Sequence, residues 1–152
     1  MPKQIDFYQI SLKLILLNDK GEILALKAVE GGTFAGFYDL PGGRINTDEF
    51  TTPFLEILKR EINEEIGNVQ ITVGPDILTS GKNIISTERT KSKEKDIHIL
   101  CLFFKGHYLN GDIKISSEHA DYKWLNLNEI VLEKYFTQGL LEGLKTYLSK
   151  YA

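Results

Sequence analysis

One short segment, residues 53–66, has the clearest periodic pattern in the chain and constrains the fold most. Its apolar residues recur three and four positions apart, which is the spacing of one face of an α-helix. Thr52 suits the residue that caps the start, Pro53 suits the first helical position, and Gly67 suits the position after the end. The segment is therefore predicted to be an amphipathic helix packed on another element. Its apolar stripe consists of Phe54, Leu55, Leu58, Ile62 and Ile66.

Strand-like runs occupy much of the chain on both sides of this segment. Residues 5–18 and 22–29 are predicted to pair around a turn at residues 18–21. The order of strands, one helix, strands and helices predicts an α/β fold in which a mixed sheet lies between helices. The predicted strands are 5–18, 22–29, 37–40, 69–79, 81–87, 96–105, 112–115 and 121–125, and the later helices are 127–135 and 138–149.

The chain of 152 residues has the length of one domain, so residues 1–152 are predicted to form a single domain. The longest apolar run, Ile99 to Phe104, is far shorter than the roughly 20 residues of a membrane helix. The start of the chain lacks the apolar region of a secretory signal, and the single cysteine, Cys101, excludes an intrachain disulfide. We therefore expect a cytoplasmic location and no membrane partner. The net charge of −3 argues against a polymeric nucleic acid as a partner.

The predicted helix also carries three glutamates on one face, Glu61, Glu64 and Glu65. They stand at positions i, i+3 and i+4, so their side chains project within one turn of each other. Like charges at this spacing repel, and the last turn of a helix disfavours negative charge. A divalent cation would remove both penalties, since Mg²⁺ prefers carboxylate and carbonyl oxygens. The alternative is a solvated helix face on which Glu56 and Arg60 form an ordinary ion pair.

The glycine turn and the helix together resemble the signature of the Nudix hydrolases. That signature is Gly, five residues, Glu, seven residues, and then Arg-Glu-aliphatic-X-Glu-Glu-X-Gly-aliphatic. Gly43 and Glu49 match the first part, and the run from Arg60 to Gly67 (REINEEIG) matches the second. The resemblance extends over roughly residues 7–135 of the chain. It departs from the signature in two places, because ten residues separate Glu49 from Arg60 and Asn68 occupies the last aliphatic position.

The resemblance implies a Nudix-type α/β/α sandwich that holds a catalytic Mg²⁺ or Mn²⁺ ion. Glu64 and Glu65 would ligate the ion, and Glu61 would be a further ligand or the base that activates water. The backbone carbonyl of Gly42 would complete the coordination, because a glycine turn lets the backbone approach a metal closely.

The resemblance also assigns supporting roles around these ligands. Arg60 would orient the carboxylates through a charge-assisted bond to Glu49 or, given the three inserted residues, to Glu56. Glu118, in a segment similar to one that precedes a tryptophan in the family, would be an additional ligand or the base. The neighbouring His119 is an acid or base or, as is more common for such a histidine, a structural hydrogen-bonding group.

Aromatic residues before the glycine turn are candidates for substrate contacts. Phe34, Phe37 and Tyr38 would stack on a nucleobase or belong to the core. Tyr38 and Phe37, together with Arg44 beside the turn, are the predicted substrate-binding residues. The charged stretch 87–96 is predicted to be a hairpin loop, which is usually only solvated. Its lysines, which would otherwise contact substrate phosphates, are Lys91, Lys93 and Lys95.

The implied reaction is the metal-dependent hydrolysis of a nucleoside diphosphate linked to another group. A nucleoside triphosphate, as in MutT-like pyrophosphatases, is the leading substrate class, and ADP-ribose or another sugar nucleotide is the alternative. A non-catalytic nucleotide-sensing module would have lost the glutamates. An isomerase of allylic diphosphates would need a reactive cysteine near the metal, whereas Cys101 lies in an apolar run. The final helix has an apolar stripe that packs on the sheet or on a second subunit, so a homodimer stays open.

Overall fold

A computed structural model describes residues 2–86 and 95–151, and in these residues eight strands and two helices form the fold. The strands are β1 (Tyr8–Leu17), β2 (Ile23–Ala28), β3 (Tyr38–Asp39), β4 (Gly42–Arg44), β5 (Gln70–Val73), β6 (Thr79–Ile85), β7 (Ile97–Asn110) and β8 (His119–Leu125). The helices are α1 (Phe54–Ile66) and α2 (Gln138–Tyr151), with short 3₁₀ turns at Thr47–Glu49 and Leu132–Lys134.

The centre of the sheet is the parallel pair of β1 and β7, which stays in register over the whole length of β1. β6 and β5 both pair with the edge of β7 that faces away from β1, and both are antiparallel to β7. The other edge of β1 is shared by β4 and β2, and β2 pairs onward with β3 and β8. β1 and β2 meet only at Leu17 and Ile23, so the strands diverge toward the glycine turn of β4. A cleft lies where they diverge.

Side chains that alternate along β1 form two apolar layers, one on each side of the sheet. Leu12, Leu14 and Leu16 pack against the stripe of α1, whereas Ile15 belongs to the layer under α2. On that second side, a Cβ at Gly143 would overlap the ring of Phe103, so α2 depends on this glycine to reach the sheet. The predicted mixed sheet between helices is confirmed, and the layers form an α/β/α sandwich.

Several predicted boundaries were wrong. The helix begins at Phe54 and Pro53 is its capping residue, so Thr52 does not cap it. The strand predicted at 69–79 is limited to β5, and residues 112–115 form no strand. Instead, the backbone N–H groups of Lys114 and Ser116 donate to the carbonyls of Ile66 and Glu65. This segment therefore satisfies the last turn of α1, which would otherwise leave carbonyls unpaired.

The end of the chain also differs from the prediction. Only a single 3₁₀ turn forms within 127–135, whereas the strand predicted at 96–105 continues to Asn110. Residues 87–94 of the predicted hairpin loop, including Lys91 and Lys93, lie outside the described residues. Among the helices in the described part of the chain, none combines the length and the apolar character needed to cross a membrane.

Candidate active site

A cleft of about 360 Å³ lies between the glycine turn, α1 and the start of β8. It brings together distant parts of the chain, since its walls come from five strands, one helix and the loop before β3. Predicted site residues that line it are Gly42, Arg44, Glu61, Glu65 and Glu118. Residues that the sequence did not indicate also line it, among them Ser11, Lys13 and Asp39.

The glycine turn fits closely against two carboxylates of α1. Gly42 has φ +140°, and a Cβ there would overlap the backbone carbonyl of Leu12. A Cβ at Gly43 would overlap the carboxylate of Glu61, with Oε2 as the nearest atom. The backbone N–H of Gly42 donates to Oε1 of Glu65 over 3.2 Å. Both glycines are therefore required, one by its backbone conformation and the other by the carboxylate beside it.

Glu65 is the most deeply buried of the three glutamates, with only 5% of its surface exposed. Burial raises the pKa of Glu65 to about 8, and the charge of Lys13 offsets only part of this effect. Its Oε1 accepts the bond from Gly42, but Oε2 is buried without a hydrogen-bond partner among the described residues. A buried carboxylate oxygen without a partner is costly, so this atom suits a cation or a proton.

The inner wall of the cleft contains an ion pair between Lys13 of β1 and Asp39 of β3. Lys13 Nζ donates to both carboxylate oxygens of Asp39, over 2.9 Å and 3.1 Å. Burial lowers the pKa of Lys13, but the charges of Asp39 and Glu65 outweigh burial and raise the pKa overall. Lys13 therefore stays charged, and it is a fixed cation beside the carboxylates of the site.

Arg60 binds the other carboxylates of the signature. Its contacts also show which glutamate is its partner despite the three inserted residues. It donates to both oxygens of Glu49, from Nη2 over 2.6 Å and from Nε over 2.8 Å. Its Nη2 also lies 2.9 Å from Oε1 of Glu61, and its Nη1 lies 3.1 Å from Oε1 of Glu64. The hydrogen bonds from Arg60 hold the pKa of Glu49 below its usual range. Glu49, and not Glu56, is thus the partner of Arg60.

The side chain of Glu64 lies apart from the cleft that Glu61 and Glu65 line. Its side chain is 57% exposed and pairs with Arg60, and it does not line the cleft. Among residues 2–86 and 95–151, no group of three or more His, Cys, Asp or Glu side chains is arranged to hold a metal. Glu61 and Glu65 flank the glycine turn, whereas Glu64 would have to turn away from Arg60 to join them.

Comparisons of the sequence with known proteins identify its family. The sequence profile of the NUDIX domain matches residues 8–146. The chain belongs to the Nudix family. It is 28% identical over 117 residues to nucleoside triphosphatase NudI of Escherichia coli O81 (strain ED1a), covering 77% of this chain and 81% of the relative. It is a MutT-like Nudix hydrolase, an enzyme that acts on acid anhydrides in phosphorus-containing substrates.

Solved structures share the fold of this chain. The MutT protein from Methanosarcina mazei Go1 superposes with a TM-score of 0.68 at 28% identity, over 95% of this chain and 96% of that one. An ADP-ribose pyrophosphatase from Streptococcus suis 89-1591 superposes with a TM-score of 0.56, over 94% of this chain and 91% of that one. Because the second is only 15% identical, it supports the fold alone.

The aromatic residues of this Nudix enzyme are arranged differently from the prediction. Tyr38 is buried in the core under α2, with its ring centroid 5.6 Å from that of Tyr135. Neither Tyr38 nor Phe37 is among the residues that line the cleft, whereas Phe34 lines it. Tyr38 is therefore placed for core packing and not for stacking on a base. Arg44 is exposed at the rim, where it donates to Gln9 over 2.7 Å.

Cys101 is placed unlike the reactive cysteine that an isomerase of allylic diphosphates would need. It is fully buried in the core, where Asn83 Nδ2 lies 3.6 Å from its sulfur. Burial raises the pKa of the Cys101 thiol to about 11, so the thiol stays protonated near neutral pH. This environment is typical of an inert structural cysteine.

Glu65 makes the stability of the metal-free enzyme depend on pH. Its pKa rises from 4.5 to about 8, so the folded state keeps a proton that the unfolded state has released. The stability that Glu65 contributes is full below about pH 4.5 and is lost as the pH rises toward 8. In EDTA, the Tm of the wild type should fall relative to that of Glu65→Gln as the pH rises from about 4.5 to about 8. Parallel Tm curves for the two proteins would contradict this.

Proposed function

We propose that this Nudix enzyme hydrolyses nucleoside triphosphates in a reaction that requires Mg²⁺ or Mn²⁺, with residues 1–152 acting as one domain. The observation that carries the proposal is the contact between the glycine turn and two carboxylates of α1. There the buried Oε2 of Glu65 has no partner among the described residues. A hard cation in the cleft would give this oxygen a partner.

The proposed ligands are Glu65, Glu61 and the backbone carbonyl of Gly42, joined by Glu64. The exposure of the Glu64 side chain leaves it room to exchange Arg60 for the ion. When bound, a divalent cation supplies charge neutralisation for the phosphates and lowers the pKa of a bound water. Its charge also offsets the repulsion between these carboxylates and an anionic substrate.

Arg60 and two glutamates have the proposed catalytic roles. Arg60 holds Glu61 through Oε1, which leaves Oε2 beside Gly43 in the cleft. In this position Glu61 would accept the proton of the attacking water. Glu118 lines the same cleft from the start of β8 and is the second candidate for this role.

The substrate class is supported by the relatives, by two cations of the cleft and by an aromatic side chain beside them. NudI, at 28% identity, is named a nucleoside triphosphatase. The cations Lys13 and Arg44 both line the cleft, and such groups suit a polyphosphate. Phe34 lines the same cleft and offers an aromatic face to a base. ADP-ribose, the alternative that the sequence resemblance gave, is the second substrate class to be tested.

A nucleotide panel with and without Mg²⁺ tests the proposal. We expect a nucleoside triphosphate to yield a nucleoside monophosphate and pyrophosphate, identified by mass. Heavy-oxygen water would label the phosphorus that is attacked. If ADP-ribose is turned over faster than any nucleoside triphosphate, ADP-ribose becomes the proposed substrate class. The absence of metal-dependent turnover across the panel would overturn the proposal in favour of a nucleotide-sensing role.

A further inference from the structure

Two buried polar atoms face each other at the cleft, Oε2 of Glu65 and Nδ1 of His119. Neither has a hydrogen-bond partner among the described residues. They lie 3.8 Å apart, and the side chains are only 9% exposed for His119 and 7% for Glu65. Both side chains line the cleft. A separation of 3.8 Å is too long for a direct hydrogen bond, so each atom lacks a partner although both point into the same space.

The start of β8 places His119 there through an irregularity of the strand. β2 and β8 pair regularly up to Lys27 and Asp121, and then Ala28 pairs with His119 and not with Ala120. Such a bulge changes the direction of the side chains that follow it. Because Ala28 lines the cleft, His119 lines it on the same side.

A metal ion between Oε2 of Glu65 and Nδ1 of His119 would give both atoms a partner. Metal ions bind carboxylate oxygen and imidazole nitrogen at about 2.0–2.2 Å, so two ligand atoms of one ion lie up to about 4.2 Å apart. The observed 3.8 Å falls within this limit. Among histidines of this chain, His98 instead pairs with Asp6, and His107 is exposed on β7.

We propose that His119 supplies a nitrogen ligand, through Nδ1, to the metal ion that Glu65 holds. The inference rests on the metal centre of the proposed function and extends it, since the ligands assigned there are all oxygens. A mixed oxygen and nitrogen set shifts the preference from Mg²⁺ toward first-row transition ions such as Mn²⁺ and Co²⁺. His119 would thus determine which metal the enzyme selects.

Pulsed electron paramagnetic resonance of the full chain loaded with Mn²⁺ tests this directly. A directly bound imidazole should give nitrogen modulation of the Mn²⁺ echo in the wild type. The modulation should disappear in His119→Gln and persist in the matched controls His98→Gln and His107→Gln. The Kd for Mn²⁺ should rise about tenfold or more in His119→Gln, and the Kd for Mg²⁺ should change less.

A second measurement needs no variant, so it stands even if His119→Gln does not fold. Wild-type protein grown with histidine labelled with heavy nitrogen should show an altered modulation pattern. Mn²⁺ that binds the wild type without nitrogen modulation would overturn the role of His119 and leave the metal centre intact. Failure of Mn²⁺ to bind the wild type at all would overturn the metal centre, and the inference with it. Modulation that survives in His119→Gln would also overturn the inference.

Discussion

Changing Glu65 to glutamine is expected to lower kcat/KM for a nucleotide substrate by about a thousandfold or more. Glutamine keeps the shape of the side chain and the acceptor for the N–H of Gly42, but it removes the charge that would hold the cation. Metal-ion catalysis contributes several kcal/mol to a transition state, and each 1.4 kcal/mol is about tenfold in rate. Steady-state kinetics at saturating Mg²⁺ measure the effect.

The same substitution should leave the metal-free protein at least as stable as the wild type at pH 8. The wild type buries a carboxylate whose Oε2 has no partner, and the neutral amide removes that penalty. Mg²⁺ should raise the Tm of the wild type and leave that of Glu65→Gln almost unchanged.

The matched control for these measurements is Glu56→Gln. Glu56 is exposed on the same helix, and the partner of Arg60 is Glu49, so its loss should change neither the rate nor the rise in Tm that Mg²⁺ causes. Activity of Glu65→Gln close to that of the wild type would remove Glu65 from the metal centre. An unstable Glu65→Gln that melts far below the wild type in EDTA would instead indicate that the carboxylate supports the fold.

The sequence predicted the parts of the site that depend on local spacing. Residues 54–66 form the expected helix, and Glu61 and Glu65 lie on the face that meets the glycine turn. The α/β/α arrangement was also predictable, because the order of strands and helices leaves few ways to bury the apolar faces. Helical periodicity thus placed Glu61 and Glu65 on the correct face of the helix, but it did not predict the direction of their side chains.

The sequence did not reveal the features set by contacts between distant segments. Glu64 shares the helix face, yet its carboxylate pairs with Arg60 one turn earlier. The helical spacing alone did not show which way this side chain points. The sequence fits Tyr38 equally well to the core or to stacking on a base, whereas its burial beside Tyr135 shows that it is core. Lys13 was missed because its partner Asp39 is 26 residues away, although a lysine inside an apolar strand could have signalled a buried pair.

Replacing the buried Lys13 with methionine is expected to lower the free energy of unfolding. The variant leaves Asp39 and Glu65 near each other without their cation, and removing one partner of a buried ion pair costs about 3 kcal/mol. For a chain of this size that loss lowers the Tm by roughly 10 °C. Thermal and urea unfolding in EDTA would measure it. The matched control is Lys27→Met, because Lys27 is exposed on the neighbouring β2.

A second substitution decides whether the loss comes from the unpaired charge or from lost packing. Asp39→Asn keeps the acceptor for the N–H of Leu40, which Oδ1 now serves over 2.7 Å, but removes the negative charge. If charge is the cause, the double variant Lys13→Met with Asp39→Asn should recover at least half of the stability lost in Lys13→Met. Strictly additive losses would mean that Lys13 contributes by packing alone. In that case the fixed cation beside the carboxylates would have no part in holding the site together.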